Sequence, residues 1–430
     1  MDAPRTRQKV AGSALSRTHF LLLFAAMLVA AAGNTALQSI MPAIGRAIGI
    51  ADLWVALAYT WSAVLWVLLA PYWAEKSDHH GRKSLTLLGL GGFVVSMALC
   101  GLALVGGLHG WWSGGLTFGL FAIFRTVYGS LGCATPSATQ AYLASKTRRA
   151  ARTAALSSLS SSFGLGTIIG PALAPLFVLP FIGLPGPLFV FALIGLIVFG
   201  AVLRWLPDDA HGRREGRGAA MSYPSIASMV TGASVRAATA PGRRRRLSWR
   251  DPRIKPWILA GVTAGHAQAA GLTCIGFFVI DTLHLDPHHA GGPISLVMMA
   301  GAAGTLAAQW GMIPRLHLRP RKLILWGAVI AGAGLVMTMA GRDLYGLVVG
   351  FGLTSIGFGF TRPGFTSGAS LAVPTAEQGG VAGVITSANG ISYILAPGLG
   401  MALYGVNPHL PFAACTAIMA ALAVWGRRLT

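Results

Sequence analysis

Nine residues, Glu75–Lys83, carry five charged side chains, and a long apolar run stands on each side of them. A helix needs roughly 20 mostly apolar residues to cross the hydrocarbon of a bilayer. The runs that enter from residue 53 and leave from residue 84 both reach that length. The charged stretch therefore reads as a very short loop between two membrane helices, at one face of the membrane. Composition extends this to the whole chain, since 54% of the 430 residues are hydrophobic and only 10% charged. Average soluble chains are about one-quarter charged. The expected fold class is an all-α polytopic membrane protein.

The apolar segments fall at about 19–48, 53–74, 84–106, 116–144, 152–179 and 187–206, then 255–283, 291–313, 322–341, 344–373, 379–404 and 409–426. That gives twelve transmembrane helices. The formal charge of +21 would suggest nucleic acid in a soluble protein, but here its distribution decides. The N-terminal tail, the 75–83 stretch, Lys146–Arg152, residues 207–255, Arg315–Lys322 and the closing Arg427 and Arg428 all fall on one side. Arg46 and Arg342 alone fall on the other. Cationic loops mark the cytoplasmic side, so both termini are expected there, in a multi-pass protein of a bacterial inner membrane. Residues 1–18 lack the compact apolar core of a cleavable signal peptide. Nucleic acid is not expected as a partner; anionic lipid headgroups at the basic loops are.

Residues 207–253 break the apolar pattern, being rich in Arg, Gly, Ser and Ala and including Arg243–Arg246. Such a stretch buries too little surface to fold alone. The chain is therefore expected to divide into an N-terminal bundle (1–206), a basic cytoplasmic linker (207–253) and a C-terminal bundle (254–430). The bundles look related, since the pairs Pro136/Pro171 and Pro363/Pro397 are spaced alike to within one residue.

Against this background Asp78-His79-His80-Gly81-Arg82-Lys83 resembles the signature loop G-x-L-x-D-R-x-G-R-R/K between helices 2 and 3 of the major facilitator superfamily. Ala74, Lys76 and His79 depart from that pattern. On the fourth segment Arg125-Thr126-Val127-Tyr128-Gly129 resembles the R-x-x-Q-G motif of the drug:proton antiporter branch. On the fifth, Gly166, Gly170 and Pro171 match part of that branch's G-x8-G-x3-G-P-x2-G-G motif, with Ser157, Ala174 and Pro175 replacing glycines. The resemblance implies the major facilitator fold, two pseudo-symmetric six-helix bundles with the substrate site between them at the midplane. It also implies that Asp78, Gly81, Arg82 and Lys83 form a cytoplasmic gate and that Arg125 takes part in proton coupling. The bland alternatives are topology anchors for the loop and small-residue packing for the glycines.

An ionisable group inside the membrane is a functional candidate by default. Arg125 qualifies, with His266 and Asp281 on the seventh segment as further proton-coupling candidates. A lone helical His is more often a hydrogen-bonded structural group, and Asp281 stands near the outer end. Segments 1, 4, 7 and 10 line the cavity in this family, which makes Asn34, Gln38, Arg125, Gln268 and Arg362 the substrate-cavity candidates. Two arginines with no acid on segments 1 or 4 suggest an anionic substrate. His284, Asp286, His288 and His289 read as a solvated loop rather than a metal site. Cys100, Cys133, Cys274 and Cys415 stand singly, which argues against a disulfide framework or thiolate metal site. There is no GxxxxGK[ST], GxSxG or HExxH. No cofactor and no enzymatic activity are expected. The function implied is secondary active transport, a proton-coupled exporter of a small amphipathic or anionic molecule such as a drug, metabolite or siderophore, working as a monomer. Proton-coupled uptake and a non-transporting receptor or scaffold of the same fold are the alternatives.

Overall fold

The structure, a computed structural model, describes residues 16–147, 149–179, 181–208, 248, 250–374 and 377–427. Most of the expected basic linker, including Arg243–Arg246, lies outside these, as do most of the N-terminal tail, Arg148 and Arg428. The side chains of Glu75, Asp78, Arg149, Arg152 and Ser157 also lie outside the description.

The helices are α1 (Arg17–Ala47), α2 (Asp52–His80), α3 (Arg82–Leu108), α4 (Gly114–Leu131), α5 (Ala134–Lys146), α6 (Arg149–Leu173) and α7 (Gly186–Trp205), followed by α8 (Lys255–Thr282), α9 (Gly291–Leu306), α10 (Ile313–Leu316), α11 (Pro320–Ala340), α12 (Leu344–Leu371), α13 (Gln378–Val406) and α14 (Leu410–Gly426). Each of the twelve apolar segments falls on described helix. Among the described residues nine helices are long and apolar enough to cross a bilayer, and 161–177 and 410–426 are shorter apolar helices.

Local chemistry explains where the helices stop. The fourth segment is divided into α4 and α5 because Pro136 has no N–H to offer the Gly132 carbonyl, which accepts instead from Thr135 N at 3.3 Å. α6 gives way to a short 3-10 turn, Ala174–Phe177, as the approach of Pro175 disfavours helical backbone before it. Between α9 and α10 the chain widens into a π-helical turn over Ala307–Met312.

One expectation is corrected. The charged stretch before α3 is not a loop: α2 runs helically to His80, so Glu75, Lys76 and Asp78 ride on its last turns. Nothing between Ala74 and His80 breaks a helix, and a helix that outruns the bilayer keeps its backbone hydrogen bonds in water. The turn is made by Gly81 alone, at φ 87°, a backbone that side chains other than glycine's resist.

The two bundles meet mainly through α2 against α13 and α6 against α9. Within the first, α1 packs on α6, and small residues make that possible. A Cβ added at Gly166 would stand 2.6 Å from Ala31 Cβ, 2.7 Å from the Leu28 carbonyl oxygen and 2.9 Å from Ala32 N. One added at Gly170 would collide with the Ala32 carbonyl and with Thr35 Oγ1. Thr35 Oγ1 also donates across the contact to the Gly166 carbonyl at 3.2 Å. Without a hydrophobic drive between helices in lipid, such close approach is what holds them together. Gly166→Ala is therefore expected to destabilise the purified protein by about 1–3 kcal/mol, read as a lower thermal midpoint. Gly119→Ala, whose added carbon meets nothing within 4 Å, should leave the midpoint unchanged or raise it.

Candidate functional site

Arg125 on α4 is, among the described residues, the largest fully buried side chain, only 2% exposed. Its Nη2 donates to Asn34 Oδ1 on α1. Its guanidinium carbon lies 4.7 Å from the Tyr128 ring centroid and 5.4 Å from that of Tyr59. Such cation–π contacts are worth ~0.5–1 kcal/mol when exposed and ~2 kcal/mol or more when desolvated. Nε and Nη1 are buried with no hydrogen-bond partner among the described residues. These groups line a cavity between the bundles, shared by α1, α2 and α4 on one side and α8, α9 and α13 on the other. Among the described residues, no Asp or Glu lines it.

α2 presents a stripe to this space: Val55, Ala56, Tyr59, Ser62, Ala63 and Trp66. These positions recur at the three- and four-residue steps of one helix face. Tyr393 and Pro397 on α13 and Phe277 on α8 close it opposite. Sequence reasoning missed the aromatic groups, although the spacing along α2 was available to show them.

The candidates distribute unevenly. Asn34, Gln38 and Arg125 line this first cavity, and Gln38 Oε1 is buried without a hydrogen-bond partner. Gln268 lines a second cavity, to which α1, α6, α8, α9 and α12 contribute. Leu272 and Met298 line both. Arg362 on α12 is buried but lines neither, so it is not brought to Arg125 and the two-arginine cavity does not form. Nor do helices 1, 4, 7 and 10 alone make the lining, since α2 and α13 supply much of it. His266 lies on α8 away from both cavities, its Nδ1 2.8 Å from the Val262 carbonyl oxygen, the bond of an N–H donor to its own helix. Gly166 and Gly170 face α1, while Pro171 lines the second cavity.

Asp281 has a specific environment. At the bundle face opposite the termini, Arg46 from the end of α1 is held by Asp52 at the start of α2, with Nη2–Oδ2 at 2.8 Å. Its other partner is Asp281 at the end of α8, with Nη2–Oδ2 at 2.9 Å and a second contact from Nη1. Tyr404 on α13 donates to Asp281 at 2.5 Å. The Arg46 guanidinium also stands 5.4 Å from the Phe277 ring centroid. Two elements of each bundle thus meet in one ionic cluster. At the other face Arg82 begins α3, and Lys83 reaches Asp208 at 3.3 Å. There Arg253 joins Asp251 at 2.7 Å to Glu377 at 2.8 Å, holding the Asp251 carboxyl below the usual carboxylate range.

Two helical bundles enclosing a charge-bearing cavity within the membrane are the architecture of a secondary transporter. The chain belongs to the Major Facilitator Superfamily, whose family profile matches residues 23–397. It is a transporter and not an enzyme, and members of the family bind small-molecule substrates. Among solved structures it is similar to the human organic anion transporter MFSD10 (TETRAN), with 18% identity over 95% of this chain and 99% of that one and a TM-score of 0.64. It is also similar to a bacterial homologue of the iron transporter ferroportin. The inward-facing state gives 15% identity over 95% of this chain and 99% of that one, TM-score 0.67. The outward-facing state with soaked iron gives 16% identity over 95% and 98%, TM-score 0.58. At these identities the likeness is one of fold. No curated protein matches the sequence.

The Arg46 cluster yields a measurable expectation. Partly exposed ion pairs are worth ~0.2–1 kcal/mol, so Asp281→Asn should favour opening of that face by about 1.4- to fivefold. The readout is the rate at which an impermeant maleimide, applied to that face, labels Val55→Cys in a background lacking Cys100, Cys133, Cys274 and Cys415. An unchanged rate would mean that this contact does not hold the face closed.

Proposed function

We propose that the chain exports small amphipathic anions across a bacterial inner membrane by alternating access, driven by inward proton movement. It does so as a monomer of two bundles, 1–206 and 254–430, joined by the linker 207–253, with both termini cytoplasmic. The observation that carries the substrate class is Arg125, a buried guanidinium with two nitrogens unpartnered among the described residues, in a cavity that no described acid lines. Its one hydrogen-bonded partner, Asn34, is neutral. An acid at that position would cancel the charge, whereas an amide orients the guanidinium and leaves its charge for the substrate. The aromatic groups Tyr59, Trp66, Tyr128 and Phe277 suit the apolar body of such an anion. The human neighbour, named an organic anion transporter, agrees in kind.

Direction rests on the R-x-x-Y-G sequence at Arg125 and the glycine–proline sequence of α6, which resemble motifs of exporters. Coupling is assigned to Asp281, the carboxylate through which both bundles hold Arg46. When it binds a proton it loses the charge that attracts Arg46, so a more acidic medium at that face favours opening there. A ligand or proton moves such an equilibrium only by its differential affinity for the two states, and a weak, partly exposed ion pair is suited to that. Asp78, Gly81, Arg82 and Lys83 are assigned the opposing gate.

The test is accumulation of a compound panel, rich in aromatic carboxylates, by an efflux-deficient bacterium with and without a protonophore. Wild type should lower accumulation of some carboxylates, and protonophore should abolish the effect. Arg125→Ala removes charged hydrogen bonds worth ~1.5–3 kcal/mol and should weaken the apparent affinity about 10- to 100-fold. Asn34→Asp should do the same while the protein still folds and inserts. Raised accumulation would overturn export in favour of uptake. No change for any compound would favour a receptor or scaffold of this fold.

A further inference from the structure

The first cavity holds more unmet hydrogen-bonding capacity than that of Arg125. Among the described residues, Gln38 Oε1 and Tyr59 Oη are also buried without a partner, and both side chains line it. Buried polar groups in native structures are in the large majority paired. Several unpaired ones around a single enclosed space therefore mark where a guest supplies the missing bonds. Two other lining groups already have partners. Asn34 Oδ1 accepts from Arg125, and Thr273 Oγ1 donates to the Ala269 carbonyl at 2.8 Å.

Position separates Gln38 from the guanidinium. Asn34, Gln38 and Pro42 follow one another along α1 at steps of four residues, and all three line the cavity. Four residues advance a helix by about 6 Å. The Gln38 amide thus stands one step beyond the amide that holds Arg125, towards the end of α1 that carries Arg46. An amide offers both an acceptor and donors. Whichever way it is turned, a group that can return both, a carboxamide or a hydroxyl, satisfies it. No second cation lines the cavity among the described residues, so that group is uncharged. A hydrocarbon in its place shuts the Gln38 amide away from water and leaves it unpaired, which weakens binding. We propose that Gln38 is a specificity determinant: among the anions held by Arg125 it selects those with a carboxamide or hydroxyl about one helical turn from the carboxylate. This inference rests on the anion reading above.

The test uses purified full-length protein and four ligands built on one ring, with binding read from the concentration dependence of thermal stabilisation. They are 4-carbamoylbenzoate, its methyl ester, 4-isopropylbenzoate, which has nearly the same shape without the amide, and terephthalate, which replaces the amide by a second carboxylate. Across the ring the two substituents are about as far apart as one helical turn, ~5–6 Å. 4-Carbamoylbenzoate is expected to bind more tightly than 4-isopropylbenzoate, although the latter brings more apolar surface, and more tightly than terephthalate. In Gln38→Leu the ratio of the first two affinities should fall at least about fivefold, the effect of one buried group left unpaired. Should that variant not fold, Gln38→Met, unbranched and adaptable, takes its place. An isopropyl compound bound as tightly as the amide by wild type, or a ratio unmoved in the folded variant, overturns the assignment of Gln38. The anion reading then still stands if the methyl ester binds more weakly than its acid. Terephthalate bound as well as the amide overturns the uncharged group. An ester bound as tightly as its acid, or no stabilisation by any of the four, overturns the anion reading and this inference with it.

Discussion

The contact between Arg125 and Asn34 is the one on which the cavity depends. An arginine at the centre of a membrane helix costs ~2.5–3.5 kcal/mol on insertion scales, and here no carboxylate among the described cavity-lining residues offsets it. What supports it is one amide oxygen and the faces of Tyr59 and Tyr128. All three are neutral, so the charge is held in place without being cancelled. Each comes from a different turn of α1, α2 or α4, and the arrangement lasts only while those helices keep their spacing. That links the charge to distant packing. The residue after Asn34 is Thr35, which is turned away from Arg125 and hydrogen-bonds the Gly166 carbonyl of α6. α1 is thus gripped on one face by glycine-mediated contact and offers its other face to the guanidinium.

Arg46, at the far end of the same helix, shows the opposite solution. It is matched by two carboxylates, lies partly in contact with solvent and joins α1 and α2 to α8 and α13. A partly exposed pair of this kind contributes modestly, which suits a contact that must form and separate repeatedly. Arg125, deeply buried and unmatched, cannot be released so cheaply and stays with its own bundle. One helix therefore carries a fixed charge at mid-depth and a separable one at its end. The distinction follows from burial and partner rather than from residue type.

Much of this was legible in the sequence, and what was not has physical reasons. Apolar length located the helices, but it carried the fifth segment to 179, whereas α6 ends at Leu173 because Pro175 disfavours helical backbone before it. The charged stretch misled because polarity was taken for loop, whereas a helix beyond the bilayer needs no apolar residues and only Gly81 leaves it. Asn34, Gln38 and Arg125 stood out because polar groups within apolar runs are conspicuous. Tyr59, Trp66, Tyr128 and Tyr393 did not, since an aromatic ring facing a cavity and one facing lipid look alike in composition. Arg362 was placed in the cavity on the strength of its helix, but a position on a helix does not say which way the side chain turns. The Arg46–Asp281 pair joins residues 235 positions apart, and nothing local in either segment marks the other.

The two cavities bear on coupling as well as on recognition. Both are walled by the two bundles together, the first by α1, α2 and α4 with α8, α9 and α13, the second by α1 and α6 with α8, α9 and α12. A ligand bound to one bundle alone would shift no equilibrium between conformations, because its contacts would be the same in each. One that touches both loses contacts when either side opens, and its binding energy then bears on the rocking motion. A molecule long enough to pass Leu272 and Met298 touches the pairs α2/α13 and α6/α9 at once, the two seams along which the bundles meet. Length in the substrate is then part of how movement is driven, and not only of how the substrate is chosen.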